Sequence, residues 1–327
     1  MARANRPTID DVAARAGVSS AAVSFAMNGR PGVGEETRRR ILAAAVELGW
    51  QPSAHARGLA QARAHAIGLL LARPVEQLEV DPFFVRFLAG IERTLSRTDH
   101  ALLLRVSDEA DLEAYDRLAA SGRVDGFLLC DVELDDPRFR LAGLPAVVAG
   151  HPVSACPFPW LETEHASGIA ALVEHLIALG HRRIGFCGSS ERFEHVQARL
   201  DVWRQTLAAA GLEPGPVAFG DPAALLGAEV TAIVHASDVL AAAGLAAARE
   251  RRIAVPGELS ITGFDDSPLA ALASPPLTSV RVDYAQFGEA AAAALLAVID
   301  GQPVPAFMGA PPELVVRAST ARRTAQR

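Results

Sequence analysis

TIDDVAARAGVSSAAVSFAMN, from Thr8 to Asn28, reads as a helix, a glycine-centred turn and a second helix. Ile9, Val12 and Ala13 fall at helical spacing, Thr8 stands where an N-cap is needed, and Asp11 follows as the acid of a capping box. Gly17 supplies the turn, Val18 plugs the junction, and Ser19 is placed to cap the segment Ser20 to Met27, whose N-terminal end stays exposed. Capped helical pairs joined by glycine also occur in ordinary small bundles. The next twenty residues favour a self-contained headpiece. Asn28-Gly29-Arg30-Pro31-Gly32 is a dense turn, and Glu35 to Leu48 gives a third helix with Ile41, Leu42, Ala45, Val46 and Leu48 as its expected core stripe. Three short helices can close one core, and a helix-turn-helix of this kind enters the major groove of DNA with its second helix.

Charge supports that reading. Residues 1–65 hold nine Arg against five Asp or Glu, a net of +4, which leaves −11 on the rest of a chain whose net is −7. A basic end on an acidic body suits phosphate binding. The chain has no lysine, so every basic contact falls to Arg or His. Its 327 residues, half of them hydrophobic, suffice for two or three domains with proper cores. Cys130, Cys156 and Cys187 lie far apart with no CxxC pair and no histidine cluster, so neither a disulfide framework nor a metal site is expected. A reducing, cytoplasmic location is expected, and no apolar run approaches the roughly 20 residues of a membrane span.

After Trp50-Gln51-Pro52, the polar, alanine-rich segment Ser53 to Ala66 reads either as a plain linker or as a short helix that orders on DNA. In the second case Leu59, its one large apolar side chain, would wedge into a minor groove. From Ala66 onward, short apolar runs alternate with helical patterns. AIGLLLA, ALLLRV, DGFLLC and PAVVAG look like buried strands, and RIGFCG, TAIVHA and LSITGF repeat the pattern further on. Two successive α/β units imply two parallel sheets facing one cleft, with ligands bound beyond the carboxyl ends of the strands.

The polar residues at those ends are the candidate ligand contacts: Asp81-Pro82-Phe83-Phe84, His151, Arg199, Ser237-Asp238 and Asp265-Asp266. Aromatic rings, an Arg and carboxylates can clasp a hydroxyl-rich small molecule. Each has a plainer reading: Phe83 and Phe84 as core, Asp81 and Asp238 as helix caps, Arg199 as a surface ion pair. His181, in the turn Gly180-His181-Arg182-Arg183, is expected at the surface. No GxSxG, P-loop, GxGxxG or HExxH motif occurs, so no catalytic residue and no cofactor is assigned.

Taken together, the Thr8-to-Gly29 order, EETRRRILAAAVELGWQP, DPFF, EHLIALGHRRIGFCG, VPGELSITGFDDSPLA, SPPLTSVR and ELVVRAST closely resemble the lactose-repressor (LacI/GalR) family of bacterial transcription factors. The resemblance implies a small all-α helix-turn-helix headpiece joined to an α/β two-lobed domain, with parallel sheets, like the periplasmic sugar-binding proteins. It implies a headpiece over 1–50, a hinge over 51–65 and an effector and dimerisation domain over 66–327. Lobe 1 would span about 66–155 plus 285–300, and lobe 2 about 156–284 plus 301–320. The helix near Ala285 to Asp300 would return to the first lobe.

The function implied is a ligand-responsive repressor acting on a palindromic operator as a homodimer, or a higher oligomer, beside the nucleoid. Its effector would be sugar-like or nucleoside-like. The alternative is a solute-binding module with no operator-specific DNA binding. DNA contacts would come from Thr8, Ser19, Ser20, Ala21, Ser24, Phe25 and Asn28, with Leu59 as the hinge leucine, which turns the linker reading into a hinge helix. Effector contacts would come from Phe83, Phe84, His151, Arg199, Asp238 and Asp265.

Three departures stand out. Ser20 and Ala21 replace bulkier polar readers, and Phe25 stands at a frequent Arg position, either against a thymine methyl or packed on the headpiece. Ser237 replaces a common Asn. Gly220 to Thr231 is short, so one helix of the second lobe is expected to be truncated or missing, which leaves nucleosides and sugar phosphates open as effectors.

Overall fold

Capping chemistry sets the first helices. Thr8 caps α1 (Ile9–Ala16), its hydroxyl accepting from the Asp11 amide while the Asp11 carboxylate accepts from the Thr8 amide at 2.7 Å. Gly17 ends α1 in the left-handed region at φ 66°, and the Ala22 amide of α2 (Ser20–Met27) donates to the Ser19 hydroxyl at 3.2 Å. α3 (Glu35–Leu48) begins with two acids at its positive end and stops at Gly49, φ 62°. The computed structural model describes residues 7–27, 30–50, 63–73, 78, 81–107, 111–141, 143–152, 155–227 and 229–323. It forms two compact units, Met1–His65 and Ala66–Arg327.

In the first unit Val12, Val23 and Ile41 are fully buried at the meeting of the three helices, with Ala13, Ala26 and Ala45 closing around them. Each such aliphatic contributes about 2 kcal/mol by leaving water. The expected stripe on α3 is corrected: Leu42 is 44% and Val46 82% exposed, whereas Ala44 is buried. The inward face is Ile41, Ala44, Ala45 and Leu48, and Leu42 and Val46 each lie one residue, about 100°, off it.

The second unit contains two parallel sheets. In the first lobe β1 (Ala66–Ala72), β2 (Ala101–Ser107), β3 (Gly126–Cys130), β4 (Ala146–Ala149) and β5 (Trp160–Leu161) lie in the order β2-β1-β3-β4-β5. Crossovers run through α4 (Pro82–Thr98) and α5 (Leu112–Ala120). Covered on both faces, β1 reads as a continuous apolar run. ALLLRV, expected to be buried, is instead the edge strand β2, with Leu104 exposed.

The second lobe opens with α6 (His165–Ala178) and pairs β6 (Ile184–Gly188), β7 (Val217–Phe219), β8 (Ala232–His235) and β9 (Ser260–Thr262) in the order β7-β6-β8-β9. Its crossovers are α7 (Glu194–Ala209) and α8 (Asp238–Glu250). Between β7 and β8 the described residues hold only a short 3₁₀ turn, Pro222–Leu225, in place of a full helix. Leu225 and Leu226 fill that side of the core against Ala241 and Leu245 of α8.

His181 is buried rather than superficial. Its Nδ1 meets the Thr231 hydroxyl at 2.9 Å and its Nε2 the Ala321 carbonyl at 3.1 Å, so it ties the turn before β6 to the C-terminal strap.

After α9 (Pro268–Leu272), β10 (Ser279–Arg281) pairs antiparallel with β11 (Glu313–Val315). Between those two strands α10 (Tyr284–Ile299) returns to the first lobe, where Phe287, Ala291 and Leu295 join its core. Gly90 of α4 and Gly288 of α10 make the contact: a Cβ on either would lie 2.0 or 2.2 Å from a backbone oxygen of the other helix.

Candidate functional site

Two places carry candidate function, one in each unit. In the headpiece, Ser19 just before α2 and Ala21 and Phe25 along it are exposed, while Ser20 and Ser24 are half-buried. The Ser20 hydroxyl donates to Asp10 of the first helix at 2.5 Å, and the Thr8 hydroxyl is engaged in capping that helix. Arg38 of α3 donates to the Ala26 and Arg30 carbonyls at 3.1 and 3.3 Å and holds the chain leaving α2. Phe25 is 40% exposed with one ring edge near Gly32, so one part of its surface packs on the headpiece and another is open to a partner. Asn28 and Leu59, and with them most of the hinge, lie outside the described residues.

In the second unit a cavity opens at the carboxyl ends of both sheets. Of the sequence candidates, Asp81, Phe83, His151, Arg199, Ser237 and Asp265 line it. Phe83 stands at the start of α4, edge-on to the Tyr284 ring with centroids 4.8 Å apart. His151 sits at the rim, half-exposed, its Nδ1 3.0 Å from a Glu162 carboxylate oxygen.

Arg199 is buried on α7 over the Phe264 ring, its guanidinium carbon 4.0 Å from the centroid. It donates to the Ala236 carbonyl and, at 3.4 Å, to the Tyr284 hydroxyl. Its Nε is buried and has no hydrogen-bond partner among the described residues.

Asp265 holds the centre. It sits at φ 104°, an unusual conformation for a residue with a side chain. Its amide donates to the Val280 carbonyl at 2.9 Å, and its carboxyl accepts from the Tyr284 hydroxyl at 2.6 Å. Arg86 of α4 donates to the carbonyls of Asp265 and Asp266, 3.1 Å each. Asp266 turns the other way, onto Arg281 and Arg317.

Two candidates are corrected. Phe84 is not in the cavity wall but in the lobe 1 core, because adjacent helical residues point about 100° apart and Phe83 takes the cavity side. Asp238 is fully buried beneath the wall, accepting from the Ser267 amide and the Ser279 hydroxyl at 2.6 Å each; it fastens α8 to the crossing strands. Its neighbour Ser237, the N-cap of α8, lines the cavity instead. Arg73, Asp131, His195 and Tyr284 also stand in the wall and are absent from the sequence candidates. The strand-end rule covers Arg73 and Asp131, which follow β1 and β3 directly; nothing local marks Tyr284.

Burial pushes the Asp265 carboxyl up to about 8, against the attraction of Arg199 and with the repulsion of Asp238 in support. Burial, reinforced by Arg199, holds the His165 and His195 imidazoles well below their ordinary values, so both are neutral. Asp265 thus keeps a proton that the unfolded chain releases near its ordinary value, and its contribution to stability falls as pH rises between about 4 and 8. The buried histidines act in the opposite sense, so the comparison is with Asp265→Asn. The thermal midpoint of the native chain minus that of the variant is expected to decline across this window; a constant difference would contradict the shift.

Known proteins resemble this chain along almost its whole length. The sequence pattern of bacterial regulatory proteins of the lacI family matches residues 8–53, and that of the periplasmic binding protein-like domain matches residues 173–320. The HTH-type transcriptional regulator MalR of Streptomyces coelicolor (strain ATCC BAA-471 / A3(2) / M145) is 35% identical over 346 residues, covering 97% of each chain. Among solved structures, a transcriptional regulator CelR–cellobiose complex superposes with a TM-score of 0.70 at 29% identity, covering 96% of this chain and all of that one. The lac repressor dimer bound to operator and the anti-inducer ONPF gives 0.82 at 24% identity over 97% of this chain and all of that one, a likeness of fold.

Proposed function

This chain belongs to the lacI family of bacterial regulatory proteins, and from that membership we propose a transcriptional repressor whose hold on a palindromic operator is set by a small molecule in the cavity of the second unit. The observation that carries the reading is the joining, in one chain, of a capped helix-turn-helix with a two-lobed cavity whose buried Arg199 Nε lacks a partner among the described residues. We take residues 1–50 as the headpiece, 51–65 as the hinge and 66–327 as the effector and dimerisation domain. The active form is a homodimer in the cytoplasm, as the lac repressor of the operator complex is a dimer. The effector is a sugar, as in the cellobiose complex of CelR. Phe83 offers it an apolar face, Arg199 and Asp265 fork onto its hydroxyls, and His151 closes the rim. We assign the cavity no turnover.

On the DNA side, Ser19, Ala21, Ser24, Phe25 and Asn28 meet the major groove, with Ser20 orienting the second helix through Asp10 and Thr8 at the start of the first. Small hydroxyl and methyl groups make few base-specific hydrogen bonds, so much of the selectivity falls to DNA shape and to Leu59 in the minor groove. Leu59→Ala is therefore expected to weaken operator binding at least tenfold, about 1.4 kcal/mol, with the thermal midpoint unchanged. A well-folded variant with native operator affinity would exclude Leu59 as the wedge.

The reading as a whole is tested by selecting bound sequences from random DNA and following occupancy of the selected site while titrating sugars, cellobiose and maltose first, and nucleosides. A sugar that changes occupancy supports it. Occupancy blind to the whole panel would remove the effector half, and the absence of any enriched site would remove the operator half.

A further inference from the structure

We infer that Arg73 and Asp131 form a recognition edge for hydroxyl groups of the ligand, completed when Phe193 of the second lobe covers the Arg73 guanidinium. The inference rests on the effector reading above and gives that site a chemical class and a closing contact.

Arg73 follows β1 and Asp131 follows β3, so both stand where strands of the first lobe open onto the cavity. Arg73 donates to Asp81 at 3.0 Å and to Asp131 at 2.6 Å, and the Arg73 and Asp131 side chains are only 10% and 8% exposed. Even so, Arg73 Nε and Asp131 Oδ2 are buried without a hydrogen-bond partner among the described residues. A buried donor or acceptor left unmade costs about 1–3 kcal/mol, more when charged. An orphan donor and an orphan acceptor on one ion pair in a cavity wall call for a group that both gives and takes a hydrogen bond. A hydroxyl does so, and adjacent hydroxyls on a sugar ring can serve both atoms.

Charge narrows the class. Beside Arg73 stand the Asp81 and Asp131 carboxylates, and His165 and His195 are held neutral. A phosphate could accept from Nε, yet it would face two carboxylates with no proton to offer Oδ2. This edge therefore takes a hydroxyl group rather than a phosphate group.

The second lobe supplies the cover. The guanidinium carbon of Arg73 lies 5.1 Å from the ring centre of Phe84 and 5.0 Å from that of Phe193, a cation held between rings from the two lobes. The chain around Phe193 is fastened to the segment that follows Asp131: Leu134 N–H donates to the Arg192 carbonyl and Glu194 N–H to the Val132 carbonyl, 3.0 Å each. Arg192 also donates to Glu133 at 2.5 Å. Separating the lobes breaks these contacts together and exposes Arg73 to water. The recognition edge is thus complete only in the closed cleft, which ties binding to closure.

The test uses the full-length protein and its Asp131→Asn, Arg73→Lys and Phe193→Leu variants. Asp131→Asn can turn the orphan acceptor into a donor at constant shape, and Arg73→Lys keeps the charge but loses Nε and the flat face. Calorimetric titration with cellobiose and maltose is expected to show a disaccharide bound, and affinity reduced about tenfold or more by either polar substitution. Native affinity in both polar variants overturns the inference.

A second measurement needs no ligand. Spin labels at exposed positions 113 and 213, one on each lobe and in a Cys156→Ser background, report the interlobe distance. Phe193→Leu is expected to shift the distribution towards longer distances. If neither disaccharide binds the native chain, the sugar reading fails and this distance decides for Arg73: an unchanged distribution overturns the closing contact, a longer one supports it.

Discussion

Asp265→Ala is expected to leave operator binding intact and to erase the effector's influence on it. The carboxyl stands in the cavity wall, accepting from Tyr284 and lying within the field of Arg199. Its backbone is gripped from three sides, by Val280 of the crossing strand, by Arg86 of the first lobe and, through Asp266, by Arg281 and Arg317. A ligand hydroxyl bound there is coupled to both lobes, and a side chain cut back to a methyl group offers it nothing. The headpiece folds on its own core of Val12, Val23 and Ile41, which the substitution does not touch. Coupling between sites commonly amounts to roughly 5- to 150-fold in affinity; in this variant the ratio of operator affinities with and without saturating sugar is expected to fall to about 1. A retained ratio would take Asp265 out of the response.

Gly288→Ala is the second large effect, and it falls on stability. The added Cβ would lie 2.2 Å from the Phe87 carbonyl oxygen and 3.0 Å from its carbon, so two helix backbones rather than a flexible side chain must move apart. α4 and α10 carry Phe87, Ile91, Phe287 and Ala291, fully or almost fully buried at this seam. Forcing extra volume into such a contact costs about 3 kcal/mol, or roughly 6–12 °C in the transition of the second unit. Gly257→Ala is the control, since its Cβ would meet only the Ala254 Cβ at an ordinary 3.6 Å. Equal midpoints for the two variants would contradict the packing described.

Much of this architecture is legible in short stretches because its causes are local. Thr8, Asp11 and Gly17 announce the first helix by capping chemistry, and the apolar runs that open β1, β6 and β8 announce parallel strands covered on both faces. The strand-end rule leads to Phe83, Arg199 and Asp265 in one cavity. It overshoots at Phe84 and Asp238, where helix rotation chooses one of two neighbours, and that choice is made by the tertiary packing. Leu42 and Val46 escape sequence reading for a related reason: spacing alone allows either of two adjacent faces of α3 to turn inward. ALLLRV escapes it because an edge strand and a central strand can share one composition. Tyr284 lies 19 residues from the Asp265 it bonds, and only the crossing strand between them brings the two together.

Sequence-specific, phosphate-dependent DNA binding by the full chain is tested most directly by measuring affinity for the site recovered by selection, beside that for scrambled DNA of equal length, from low to high salt. The expected result is a pseudo-palindromic site with half-sites about one helical turn apart, bound in clear preference to the scrambled sequence, and affinity falling linearly with the logarithm of salt as counterions are released. Equal affinity for the two DNAs at every salt concentration would contradict it.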